Sequence, residues 1–106
     1  MVTTIKARFS IGEIVQHNLF GFRGVVVDVD AGFQGDDNWY DQNAPGNPAK
    51  DKPWYHLLVH GSVHRAYAAE INLSKDATSD PIEHLELDNF FDHFEDGLYH
   101  RRRYSN

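Results

Sequence analysis

The stretch LFGFRGVVVDVD, residues 19–30, constrains the fold more than any other part of the chain. It sets Gly21 and Gly24 beside four valines and ends in the alternating aspartates Asp28 and Asp30. β-Branched residues favour strands, because their stiff side chains pack well on a pleated surface. Gly21 reaches positive φ without a Cβ clash, which suits a turn over 18–21. Gly24 suits a bulge or sharp coil that lets the next strand wrap round a corner. In a strand over 23–30, Val25, Val27 and Val29 point one way, and Val26, Asp28 and Asp30 the other. Such a bent, half-wet strand belongs in a small antiparallel barrel.

The rest of the chain extends this pattern. Its 106 residues allow one domain with a modest core. Strand periodicity over Ile14-Val15-Gln16-His17 puts Val15, His17 and Leu19 on one face. Residues 31–53 are rich in Gly, Asp, Asn and Pro and predict a long functional loop with one helical turn near 37–42. In WYHLLVHGSVHRAY, residues 54–67, two β-rich runs flank Gly61-Ser62. A two-residue hairpin there sets His60 against Val63, Val59 against His64, Leu58 against Arg65, and His56 against Tyr67. A last short strand falls at 71–73. The expected fold is mainly β, a small SH3-like antiparallel β-barrel over residues 9–75, preceded by a flexible lead-in at 1–8.

After Ser74 the character changes. Asp80-Pro81 can open a helix, and Ile82, Leu85, Phe90 and Phe94 fall roughly on one helical face. This predicts a short acidic helix around 82–95, capped at Gly97, within a C-terminal tail over 76–106 that is otherwise frayed or disordered. The formal charge of −6 is concentrated there: eight acids and three arginines lie in 76–106, against eight acids and seven bases in 1–75. That balance argues against broad electrostatic capture of DNA, which needs a basic stripe. No apolar run is long enough to span a bilayer, and the N-terminus has no signal-peptide core, so a cytoplasmic protein is expected.

The chain has no cysteine, which removes disulfides, thiolate nucleophiles and cysteine-based zinc sites. His56, His60 and His64 are spaced by four, but on a hairpin His64 points away from the other two, so no metal site is expected there. His84, His93 and His100 read as solvated. None of the five serines sits in a nucleophile elbow, and Ser62 reads as a turn residue. Asp28 and Asp30 could act as paired carboxylates but read as the wet side of a strand. Gly21-x-x-Gly24 lacks the lysine and helix of a phosphate loop. The expectation is a protein that is not an enzyme and has no cofactor.

One binding feature stands out. Trp54, His56, Leu58, Arg65 and Tyr67 share a hairpin face, and Trp, Tyr and Arg are the residue types that anchor interfaces or stack on bases. Arg23 could join Arg65 in phosphate contacts. The competing reading makes this face the barrel interior, with Arg65 at its rim.

GEIVQHNLFGFRGVVVDVD, then PWYHLLV, then YAAEINL occur in an order and spacing that resembles the HspQ family of hemimethylated-DNA-binding-like proteins. The resemblance spans about residues 9–75 and departs at 60–63, where relatives carry a longer, more polar turn. It implies a heat-inducible bacterial protein of the cytoplasm with a non-catalytic β-barrel. Its implied role is to help the ATP-dependent Lon protease degrade selected or denatured proteins, including the replication initiator. It also implies binding of hemimethylated DNA by some members, and a trimeric assembly. The matched positions His17, Gly21, Gly24, Asp30, Pro53, Trp54, Tyr55, His56, Tyr67, Glu70 and Leu73 read mostly as fold determinants. Partner contacts are assigned to Arg23, Trp54, His56, Arg65 and Tyr67.

Overall fold

A computed structural model describes residues 6–102. Most of the expected N-terminal lead-in and the last four residues of the basic end lie outside the described residues. Five strands make one antiparallel sheet: β1 (Ile14–His17), β2 (Arg23–Asp30), β3 (Trp54–Val59), β4 (Arg65–Ala69) and β5 (Leu73–Lys75), in the order β4-β3-β2-β1-β5. The expected closed barrel is not found, because the end strands β4 and β5 do not pair. A 3-10 turn, Glu70–Asn72, separates them, and β5 is only three residues long. Phe9 instead joins the inner core of Val15, Val26, Tyr55, Leu57, Ala68 and Leu73. The Tyr55 hydroxyl accepts from the Phe9 amide at 3.2 Å and donates to the Glu70 carboxylate at 2.6 Å, tying the N-terminal segment down.

β2 has the expected bounds, and Gly21 turns the chain before it with φ +78. The bulge, however, sits at Val27 and not at Gly24, since the register with β3 shifts between Val26 and Asp28. The extra residue reverses the alternation. Val29 therefore packs with Val26 on the inner core, while Val25 and Val27 lie in a second cluster on the outer face. Gly24 serves close approach: a Cβ there would stand 2.8 Å from the Leu58 carbonyl oxygen.

The β3–β4 register sets His56 against Tyr67 and Leu58 against Arg65, as expected. The connection is longer than two residues. His60 donates its amide to Arg23 on β2 and does not face Val63, while Ser62 bonds the Val59 carbonyl and the His64 amide as a turn residue. β5 begins two residues later than expected, and Ile71 is left 75% exposed.

The C-terminal segment departs most from the sequence reading. Among the described residues one helical turn forms, α2 (Leu87–Phe90); residues 76–86 before it are irregular chain and turns, and a β-hairpin of β6 (Phe91–Glu95) and β7 (Leu98–Arg101) follows. Asp96 and Gly97 both have positive φ, 55° and 77°, the geometry of the two-residue turn that matches strand twist. Ile82, Phe91 and Tyr99 are buried against Ile14, Val25, Val27 and Leu58. Buried Asp76 opens this segment and pairs with Arg23 at 3.1 Å. Burial pushes its carboxyl up, but hydrogen bonds from Arg23 and Thr78 outweigh that and hold it below the usual carboxylate range. No helix among the described residues is long and apolar enough to cross a membrane.

Candidate functional site

Where chain pairing stops, the sheet offers unused hydrogen-bonding groups, and β4 is such an edge. Its phase follows from two bonds: the Val59 amide donates to His64, and the Glu70 amide donates to Pro53. Antiparallel pairing alternates, so Ala66 and Ala68 bond β3. Arg65 and Tyr67 then present their amides and carbonyls outward, and Ala69 its amide, while the Ala69 carbonyl opens the 3-10 turn Glu70–Asn72. A groove of about 380 Å³ runs along this edge.

One wall is the turn after β1. His17 is buried, and its Nδ1 accepts the amides of Leu19 at 3.2 Å and Phe20 at 3.1 Å. Its ring stacks on Phe20 at 4.6 Å and on Phe22 at 5.1 Å. Burial pushes the imidazole pKa down, which favours the neutral ring that can accept these bonds. The turn so fixed leaves Leu19 58% and Phe20 64% exposed, and Phe20 lines the groove.

The other wall is carried by the long loop. It contains α1 (Asp37–Asn43), capped by the Asp36 carboxylate, which accepts the Trp39 amide at 2.7 Å. Phe33 sits among Trp39, Tyr40, Trp54 and Tyr67, with ring centroids 4.9 to 6.0 Å away. These contacts lock Trp39 at the groove and stack the loop against the sheet.

Beneath them lies a polar network. The Tyr67 hydroxyl donates to Asp30 at 2.7 Å, and His56 Nε2 meets the same oxygen at 2.9 Å. Burial raises the Asp30 carboxyl, yet these two bonds more than offset it and the pKa falls below its ordinary value. Burial and the bond to Asp30 push the Tyr67 phenol well above its own. Asp30 is thus held as the anion that Tyr67 and His56 bond, and Tyr67 as the neutral phenol. Asp28, Asp30 and His56 place their ligating atoms within 4.8 Å of one another, and a second such set is His93, Glu95 and His100.

Of the five residues that the sequence points to, the groove gathers Trp54, His56, Arg65 and Tyr67. With Leu58, these four share the outer face, opposite the inner core of Tyr55, Leu57 and Ala68. Trp54 and Leu58 are nevertheless fully buried there in two further clusters, so the interior reading holds for them, and His56, Arg65 and Tyr67 are the ones that reach solvent. Arg65 is held by the Glu86 carboxylate and lies over the Phe90 ring at 5.3 Å. Arg23 is elsewhere, gripped by Asp76 and the Asp80 carbonyl. The sequence reading missed His17, Phe20, Phe22 and Trp39; the available signal was the apolar pair Leu19-Phe20 inside a turn. The sequence model of the family described as hemimethylated DNA-binding protein YccV-like matches residues 7–98, running through the groove and on into the C-terminal hairpin. A match over that much of the chain makes this protein a member of the YccV-like family.

Proposed function

We propose that the protein is a non-catalytic adaptor that captures extended polypeptide segments and promotes their degradation by the ATP-dependent Lon protease. The observation that carries this reading is the unpaired β4 edge lying in an aromatic-walled groove. An extended chain added to such an edge gains main-chain hydrogen bonds, and side-chain pockets add selectivity. Unfolded proteins supply such segments in any sequence, whereas folded ones do not. Lon enters through the resemblance to the HspQ proteins, and selected or denatured proteins, the replication initiator among them, are its clients.

Lon-dependent degradation of a denatured protein, measured with and without this chain, tests the reading. Ala69→Pro removes one outward amide at a residue whose φ of −73° already suits proline. It is expected to cut the stimulation by about fivefold or more, the loss typical of an interface anchor. Phe20→Ala is expected to act in the same direction. Full stimulation by both variants overturns the groove as the capture site.

The family description favours a second reading, hemimethylated DNA binding. Its phosphate contacts would need basic groups, yet Arg65 and Arg23 are both engaged by carboxylates. Salt-sensitive binding of a hemimethylated duplex at about 50 mM salt, lost in Arg65→Ala, would establish it over the adaptor reading.

A further inference from the structure

The hairpin β6–β7 carries a feature that neither the groove nor the core uses. Its two-residue turn at Asp96-Gly97 sets His93 directly against His100. The register shift between Phe91 and His93 matters here. Phe91 and Phe94, three residues apart, both turn toward the core, so His93 and Glu95 face outward. His100 stands beside them, its ring 4.5 Å from that of His93 and within 5° of parallel. Ligating atoms of His93, Glu95 and His100 lie within 4.8 Å of one another, and His93 Nε2 is 3.9 Å from the Glu95 carboxylate.

We propose that His93, His100 and Glu95 form a binding site for a divalent transition-metal ion of the zinc class. Two imidazoles and one carboxylate are the donor set that borderline ions favour, with a fourth position left to water. Metal–ligand bonds near 2.0–2.2 Å place neighbouring donor atoms about 3.4 Å apart in a tetrahedral site. The two rings lie parallel, so their in-plane lone pairs converge on one ion only after χ rotation of at least one imidazole, which the exposure of His93 allows. The cross-strand pairing fixes the backbone of both histidines beforehand, so binding has to order side-chain torsions alone. His93 and Glu95 are exposed and His100 half-buried, so the site is open to solution. Bound metal would clip β6 to β7 and hold the hairpin over Val25, Val27 and Leu58.

The test is titration of the full chain with Zn2+ alone in a non-chelating buffer, by calorimetry and by NMR of the histidine rings. One ion per chain is expected, with His93 and His100 resonances shifting together and the thermal midpoint rising with metal. His93→Ala and His100→Ala are each expected to weaken binding by about tenfold or more, and Glu95→Gln by less. His100→Gln serves if His100→Ala unfolds, and His56→Ala should leave the affinity unchanged. The proposal is overturned by no binding, by unchanged affinity in the His93 and His100 variants, or by loss of binding in His56→Ala. The last result would assign the ion to Asp28, Asp30 and His56 instead.

Discussion

At the Val25 end of β2 the outer face of the sheet lies under residues 76–101, and at the Asp30 end it lies under residues 31–53. The first cover is strand and apolar contact: Phe91 and Tyr99 sit 5.3 Å apart over Val25 and Val27, and the Tyr99 hydroxyl accepts the Ile82 amide at 2.8 Å. The second is stacked aromatic rings and hydrogen bonds from side chain to backbone, such as Trp54 Nε1 to the Ala49 carbonyl at 3.1 Å. One closes its end of the sheet; the other leaves β4 bare beside it. Apolar burial is non-directional and serves closure, whereas aromatic and polar contacts fix positions while leaving an edge open. The C-terminal cover is thus expected to carry global stability, and the groove side to carry binding.

The sharpest break of this contrast is at Gly12, where the C-terminal cover docks. The Tyr99 amide donates to the Gly12 carbonyl at 3.0 Å, and Gly12 donates to Val26 at 2.8 Å. Gly12 has φ +98, and a Cβ there would fall 2.0 Å from the Tyr99 carbonyl oxygen. Gly12→Ala should cost about 4 kcal/mol or more, because backbone must move on both sides. Gly21→Ala, on the groove side, has φ +78 but open space around it, so only the left-handed strain of about 1–2 kcal/mol applies. Urea unfolding of both variants measures the difference, and equal costs would remove the asymmetry.

Core truncation gives a smaller but cleaner comparison. Phe91 is 3% exposed in the outer cluster, and Phe91→Ala should lose about 3–4 kcal/mol. Trp39 is half-buried and held by ring contacts, so Trp39→Ala should lose about 1–2 kcal/mol. Denaturant midpoints report the stability cost. The Lon assay should reverse the order for Trp39, which lines the groove.

How much of this was legible differs between the two sides. The β2 bounds, the β3–β4 register and the helical turn near Asp37 follow from short-range rules, valine runs and capping aspartate among them. The bulge at Val27 was not legible, since one extra residue leaves composition unchanged and shows only in pairing. The C-terminal hairpin was misread because Ile82, Leu85, Phe90 and Phe94 mimic a helical stripe. The Asp96-Gly97 pair between alternating residues was the stronger signal. Buried Trp54 and half-buried Tyr67 stand out by type, but the edge they border depends on which strands pair at long range.

Acid should separate the two sides with the smallest perturbation. His17 has its pKa lowered from 6.5 by burial, so the unfolded chain takes up that proton first. Its contribution is complete above about pH 6.5 and is lost as pH falls below that value. Asp76 behaves differently. Its carboxyl, raised by burial but pulled down further by Arg23 and Thr78, ends below 3.8 in the folded chain. Its contribution is complete above the unfolded value and is lost as pH falls through the lowered one. Acidification should therefore loosen the turn at Leu19 and Phe20 first, while the pairing of Asp76 with Arg23 holds until about pH 4 or below. Amide exchange followed by NMR checks this residue by residue. Leu19 and Phe20 should lose protection as pH falls below about 6.5, with Tyr99 unchanged. Simultaneous loss at all three amides would mean that the groove wall and the C-terminal cover open as one unit, and the division of labour between them would fall with it.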